Sequence, residues 1–299
     1  MNYETFKSSA LDSIQTYFGN SASVSLQPII KNNDTILDGL TIQDRSTNLA
    51  PTLYLNYYYE DYLAGKSLSD ILDDIIASYR SNLPAVSMDL SFFTDYEKIK
   101  FRVIYKLISH RENTELLKDV PHFRFLDLAI VFCCYLPDMA DGNASILIHN
   151  HHLDFWNLTA DSLYELAVKN TPILLPYELK SMEDTLKSLC PGLRLFPDNA
   201  NGAEDSRKIY VLSNTEKLYG ASCLLYPNVL SYFAESSGSD FYIIPSSIHE
   251  ALLLPKTPSV HASGLNKIIQ EVNASQLLKE EVLSDHVYVF ERAFGFLTF

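Results

Sequence analysis

The run Arg124-Phe125-Leu126-Asp127-Leu128-Ala129-Ile130-Val131-Phe132-Cys133-Cys134-Tyr135 restricts the possible folds more than any other stretch. It is almost wholly apolar, so it reads as a central strand buried on both faces, with Asp127 as its interruption. It is too short for the roughly 20 residues that span a bilayer, and no other apolar run approaches that length. Cover for both faces must therefore come from other helices and strands of the same chain.

The helical cover is legible from spacing. Leu68, Ile71, Leu72, Ile75, Ile76 and Tyr79 form one apolar stripe at helical period, with Ser67 as cap, Asp70 three residues on, and Asp73 and Asp74 facing water. Residues 3–18 carry a second stripe of Tyr3, Phe6, Ala10, Ile14 and Phe18. Tyr57 to Leu63 reads as a short helix ending at Gly65, and Thr159 caps a helix through Val168. Helices are also expected over Glu178 to Leu189, around Tyr226, Val229, Leu230 and Phe233, and along Leu265, Ile268, Ile269 and Val272.

Strands alternate with these helices. Val24 to Ile30 and Ile36 to Ile42 read as a hairpin through Asn32-Asn33-Asp34, residues that tolerate positive φ. Thr52 to Leu55 follows. Residues 98–108 alternate Ile99, Phe101, Val103, Tyr105 and Leu107 with Lys98, Lys100, Arg102 and Lys106, a pattern that predicts one wet face and an antiparallel or edge position. Ser145 to His149 is the expected hairpin partner of the central strand, across Asp138 to Asn143. Further strands are expected at Ile209 to Leu212, Phe241 to Ile244, Ala251 to Leu254 and Val287 to Phe290, and Pro197 to Asp205 reads as a loop.

The resulting class is α+β, mainly antiparallel sheets with helices on one side, in lobes of residues 1–172 and 173–299 or as one continuous domain. Thr52–Leu55 with the Ser67-capped helix parallels Ser145–Ile148 with the Thr159-capped helix, which suggests repeated β-β-α units.

Charge and cysteine usage exclude several functions. The formal charge is −14, spread along the chain without an acidic block. Lys98 to Arg102 is the densest basic stretch, too small to follow a phosphate backbone, so neither nucleic acid nor an anionic membrane is an expected partner. Cys133 and Cys134 are adjacent and lie in the apolar run, and no Cys-x-x-Cys occurs. Met1 to Lys7 lacks the basic and apolar regions of a signal peptide. Reduced thiols and a cytoplasmic address are expected.

Three constellations are candidates for a site. Pro245-Ser246-Ser247-Ile248-His249-Glu250 lies in a tight strand-to-strand connection. Its Ser246, Ser247, His249 and Glu250 read first as groups that satisfy turn donors, with ligand binding or hydrolysis as alternatives. His149, His152 and Asp154 are a polar cluster of ligand-type residues, but no metal-binding spacing such as His-Glu-x-x-His is present. Tyr57, Tyr58, Tyr59, Glu60 and Asp61 form an acidic, aromatic stretch suited to a protein interface, with a packed helix as the alternative. No phosphate loop, dinucleotide fingerprint or metal site is legible, so no cofactor is expected.

Several segments together carry a family resemblance. They are Lys31-Asn32-Asn33, Gly39-Leu40-Thr41-Ile42, Pro51 to Asn56, Phe125 to Phe132, Gly220-Ala221, Ile244 to Glu250 and Glu281 to Asp285. They resemble the DUF5688 family of bacterial proteins, over about residue 26 to residue 290, and Pro245 to Glu250 also looks like a stretch of the DUF1444 group. The resemblance implies a shared fold and carries over no catalytic residue. The expected function is a cytoplasmic interaction or regulatory protein without catalysis, with a protein as partner. The alternative is a hydrolase or small-ligand-binding protein that uses the Pro-Ser-Ser-Ile-His-Glu turn.

Overall fold

The computed structural model describes residues 1–44, 50–82, 91–139, 142–189 and 209–299. The first unit holds α1 (Tyr3–Phe18), β1 (Ala22–Ile30), β2 (Ile36–Asp44), β3 (Thr52–Tyr54), α2 (Leu55–Leu63) and α3 (Leu68–Ser81). Asn2 caps α1 by accepting the Thr5 N–H, and Ser67 caps α3 by accepting the Asp70 N–H. β1 and β2 pair without a break from Ala22↔Asp44 to Ile30↔Ile36. Asn33 and Asp34 turn the chain between them at φ 59° and 46°. The stripes meet as expected: Phe6, Ala10, Ile14, Leu40, Ile42, Ile71, Ile75 and Tyr79 form a core of residues from this unit alone.

Two short helices, α4 (Ser91–Thr94) and α5 (Tyr96–Ile99), lead into the second sheet of β4 (Val103–Ser109), β5 (His122–Phe125), β6 (Leu128–Met139) and β7 (Gly142–Leu147). Every pairing is antiparallel. β4 flanks one side of β6, while β5 and β7 share the other. The helices α6 (Asn150–Trp156) and α7 (Ala160–Leu174) follow, the latter capped by Thr159. The third sheet contains β8 (Tyr177–Ser181), β9 (Tyr210–Asn214), β10 (Phe241–Ser247), β11 (Glu250–Pro255), β12 (Tyr288–Glu291) and β13 (Phe296–Thr298). Its order is β13-β12-β10-β11-β9-β8. Three helices accompany it: α8 (Met182–Leu189), α9 (Val229–Ser237) and α10 (Ala262–Ser275). No helix among the described residues is long and apolar enough to cross a membrane.

The class is α+β with antiparallel sheets. The largest core joins the second and third sheets, from Ile99 to Phe290, and so crosses position 172. The stretches from β2 to α3 and from β6 to α7 share one order: hairpin, short helix, longer capped helix.

Several local expectations are corrected. The apolar run is not one strand. It turns at Leu126, φ 56°, so that Asp127 leaves the sheet and its carboxylate accepts the Ser284 and Tyr288 hydroxyls, each at 2.6 Å. From Leu128 to Leu136 the strand is buried on both faces. Residues 98–102 are not strand, and β4 has no wet face: Ile104 and Ile108 are as buried as Val103 and Tyr105. Helix α7 closes the outer edge of β4. Thr171 Oγ1 accepts the Tyr105 N–H at 3.1 Å, and Asn170 donates to the Lys100 and Val103 carbonyls. Residues 178–181 pair with β9 instead of opening a helix, which starts only at Met182. His149 lies beyond β7 as the N-cap of α6. Along α10 only Ile269 of the stripe is buried, with Ile268 57% and Val272 39% exposed. The expected loop at 197–205 lies outside the described residues.

A polar clamp attaches the first unit to the rest. Asn33 donates from Nδ2 to the Lys279 and Val282 carbonyls, both at 2.7 Å. Its N–H donates to Asn113 Oδ1, and its Oδ1 accepts from Asn113 Nδ2. Asp34 accepts the Glu115 and Leu116 N–H groups at the next turn.

Candidate functional site

The turn after β10 begins with a register shift between Ile244 and Ser247, and pairing resumes at Ser247↔Glu250. Ser247 Oγ accepts the His249 N–H at 3.0 Å, and Ser246 Oγ reaches Glu250 at 3.4 Å. Ile248 is buried, its N–H donating to the Glu281 carbonyl and its own carbonyl accepting from Ala221. Ser246 and Glu250 are therefore brought together, while Ser247 binds only the backbone of His249.

Residues 213–220 form the other wall. Buried Asn214 shapes it: Oδ1 accepts the Glu216 and Leu218 N–H groups, and Nδ2 donates to the Leu218 carbonyl. Ser213 Oγ donates to the His249 carbonyl at 2.8 Å. Imidazole Nδ1 of His249 lies 3.1 Å from the Lys217 carbonyl and 3.3 Å from the Tyr219 N–H. The His249 and Tyr219 rings stack with centroids 5.9 Å apart. Tyr219 is held at φ 53°, in the left-handed region. Gly220 follows because the backbone there passes against Ser213 and the His249 carbonyl with no room for a Cβ.

This assembly reaches the second sheet. Tyr219 OH is 3.0 Å from Ser145 Oγ, and Lys106 Nζ lies over the Tyr219 ring at 4.5 Å. Burial works to lower the Lys106 ammonium, but the Tyr219 hydroxyl and Cys133 thiol beside it outweigh burial and hold it above the usual lysine value. Burial pushes the Cys133 thiol up, and Cys134 and Cys223 up to about 12, so none is a thiolate near neutrality. The sequence reading missed Lys106, Ser145, Ser213, Asn214 and Tyr219. The motif segment Gly220-Ala221 was the only signal for this wall.

The histidine cluster forms a separate structure. His149 Nδ1 contacts Asp119 at 2.7 Å, and the His149 N–H donates to Nδ1 of His152 at 2.9 Å. His152 also packs against Phe93 and Trp156, and its ring lies 3.9 Å from that of His151. Asp154 is exposed. Among the described residues no group of three or more His, Cys, Asp or Glu is arranged to hold a metal ion. No hydrogen bond, ion pair or ring contact joins 149–154 to 246–250 among the described residues.

Burial first, then the neighbouring His151 and His149, lower the His152 pKa from the ordinary 6.5 to about 4, against a weaker pull from Asp119. The folded state therefore keeps a neutral ring where the unfolded chain takes a proton. Stability from this group is present in full above pH 6.5 and is lost as pH falls toward 4. His152→Gln keeps a capping acceptor that does not titrate. Its unfolding free energy is expected to fall less steeply than wild type across that window in urea titrations, and parallel curves would refute the assignment.

The acidic tyrosine stretch lies on α2. Tyr58 and Tyr59 pack on the first core, Tyr59 within 5.0 Å of the Tyr3 ring centroid and 5.2 Å of that of Phe6. Tyr57 OH donates to Glu280 across the clamp, while Glu60 and Asp61 face water.

Four of the seven segments that carried the family resemblance meet at two places. Asn32 and Asn33 meet Lys279 to Val282 at the clamp, and Gly220-Ala221 meets Pro245 to Glu250 at the turn. The model of a family of unknown function, DUF5688, matches residues 3–292. The chain belongs to this family. That span takes in the first two sheets, the third sheet apart from β13, and both of these places. No curated protein and no solved structure matches the chain.

Proposed function

We propose that this DUF5688 protein works by binding another protein, in the bacterial cytoplasm, and has no catalytic activity of its own. One observation carries the reading. In its most distinctive turn, Ser247 accepts a backbone N–H, Ser246 reaches Glu250, and Nδ1 of His249 faces backbone groups of Lys217 and Tyr219. Hydrolysis by either serine with His249 as its base needs the imidazole on the hydroxyl. Among the described residues no such bond joins His249 to Ser246 or Ser247. The turn has the arrangement of a brace that fixes surrounding surfaces.

Charge supports a protein partner over a nucleic acid, since a net −14 repels phosphate backbones. Free thiols at Cys133, Cys134 and Cys223 support the reducing compartment. The test is a fluorophosphonate probe applied to the purified chain, with adducts mapped by mass spectrometry. No adduct is expected on Ser246 or Ser247. An adduct on either, formed by native and not by urea-unfolded protein, would overturn the reading in favour of a hydrolase.

A further inference from the structure

Two adjacent asparagines at the β1–β2 turn grip the main chain of a segment far away in sequence. Asn32 Nδ2 donates to the Glu280 carbonyl at 2.7 Å, and Asn33 Nδ2 donates to those of Lys279 and Val282. Beside them Tyr57 OH donates to the Glu280 carboxylate. Side-chain amides on backbone carbonyls, with one hydroxyl on one acidic side chain, are the means by which a protein surface holds a peptide.

The grip is incomplete. Asn32 Oδ1 and, on the same turn, Thr35 Oγ1 are buried and have no hydrogen-bond partner among the described residues. A buried polar atom left unpaired costs free energy. An asparagine amide can take a carbonyl and an N–H together. In an extended chain the C=O and N–H of one residue point to the same side, so one amide reaches both. Lys279–Glu281 is instead wound as a 3-10 turn, where the two groups point opposite ways along the axis. The segment that fills this place therefore offers Asn32 a carbonyl in the wrong form to satisfy Oδ1.

That segment is also lightly anchored. From Gln270 to Val282 no residue is buried. The Glu281 carbonyl accepts the Ile248 N–H, a single backbone tie to the third sheet. Asn33 and Asp34 hold 113–116 by separate bonds, which do not involve 279–282.

We propose that the 32–35 turn and Tyr57 form a binding site for an extended, glutamate-bearing segment of a partner protein, and that residues 279–282 occupy it as an autoinhibitory strap. This deepens the proposed function and rests on it. The partner's segment displaces the strap, gives its carboxylate to Tyr57 and gives Asn32 the N–H that the strap withholds. Tyr57 thereby supplies the acidic tyrosine stretch with its contact residue.

The probe is a fluorescein-labelled peptide, Leu277-Leu278-Lys279-Glu280-Glu281-Val282-Leu283, too short to hold a helix alone. It is titrated by anisotropy against the full chain as wild type, as Glu280→Ala, and as Glu280→Ala combined with Tyr57→Phe or with Asn32→Ala. Glu280→Ala loosens the strap, so it is expected to bind the probe about tenfold more tightly than wild type. Adding Tyr57→Phe or Asn32→Ala is expected to reverse that gain, and Glu280→Gln within the probe to weaken it. Tyr57→Phe removes only a hydroxyl, so it tests the site even where Asn32→Ala disturbs the turn. Equal binding by wild type and Glu280→Ala, no saturable binding to either, or a gain that Tyr57→Phe leaves intact would overturn the proposal. So would a wild-type dimer in sedimentation that Tyr57→Phe abolishes, because the occupant would then be a second copy. Any of these results without a fluorophosphonate adduct removes this site and leaves the protein-binding function standing. The adduct removes that function instead.

Discussion

Gly220→Ala is expected to destabilise the protein by roughly 3 kcal/mol, the upper range for forcing atoms into a filled space. The added Cβ would stand 2.1 Å from Ser213 Oγ, 2.3 Å from the His249 carbonyl oxygen and 2.9 Å from Ser213 Cα. Rotating Ser213 relieves the first contact only by giving up its bond to that carbonyl. The carbonyl itself belongs to a turn whose neighbour, Ile248, is bonded on both sides to Glu281 and Ala221. No flexible group is available to yield. The same substitution at Gly264 meets nothing within 4 Å and serves as the control. Urea denaturation of both variants measures the difference. A Gly220→Ala midpoint equal to that of Gly264→Ala would show that the wall yields, and would remove the reason for glycine there.

Asn33→Ala is expected to cost a similar amount, roughly 3 kcal/mol, by a different mechanism. It deletes the bonds to the Lys279 and Val282 carbonyls and strips Asn113 of its reciprocal partner. It also leaves alanine at φ 59°, a conformation asparagine tolerates better. Because the first unit has a core of its own, the loss should be local. Amide exchange is expected to accelerate at the 30–36 turn and at 109–120 while β6 keeps its protection. Asn33→Asp should be no better, since a carboxylate would face two carbonyl oxygens. Unchanged exchange at the turn in both variants would mean that the clamp does not hold the units together.

The parts legible in advance were those set by short-range spacing. The α3 stripe and its Ser67 cap, the β1–β2 hairpin with its positive-φ asparagine, and the α1 stripe all appear where periodicity placed them. Errors arose where a pattern fits two environments. Residues 98–108 alternate like a half-wet strand, yet Lys106 points at Tyr219, whose position depends on Gly220 and Ser213. Glu178 to Ser181 suits a helix, but β9 supplies a strand partner. The candidate site was half legible. Ser246, Ser247, His249 and Glu250 stood out as a motif, while Lys106, Ser145 and Tyr219, remote in sequence, did not.

The sequence alone determined the local elements, the acidic charge and the turn chemistry, because capping, periodicity and φ preference act over a few residues. Only the tertiary structure decided that Asn33 clamps Val282 and that Asp127 leaves its strand for Ser284 and Tyr288. Such contacts join groups up to 249 residues apart, and no local pattern encodes which distant surface will complete a buried hydrogen bond.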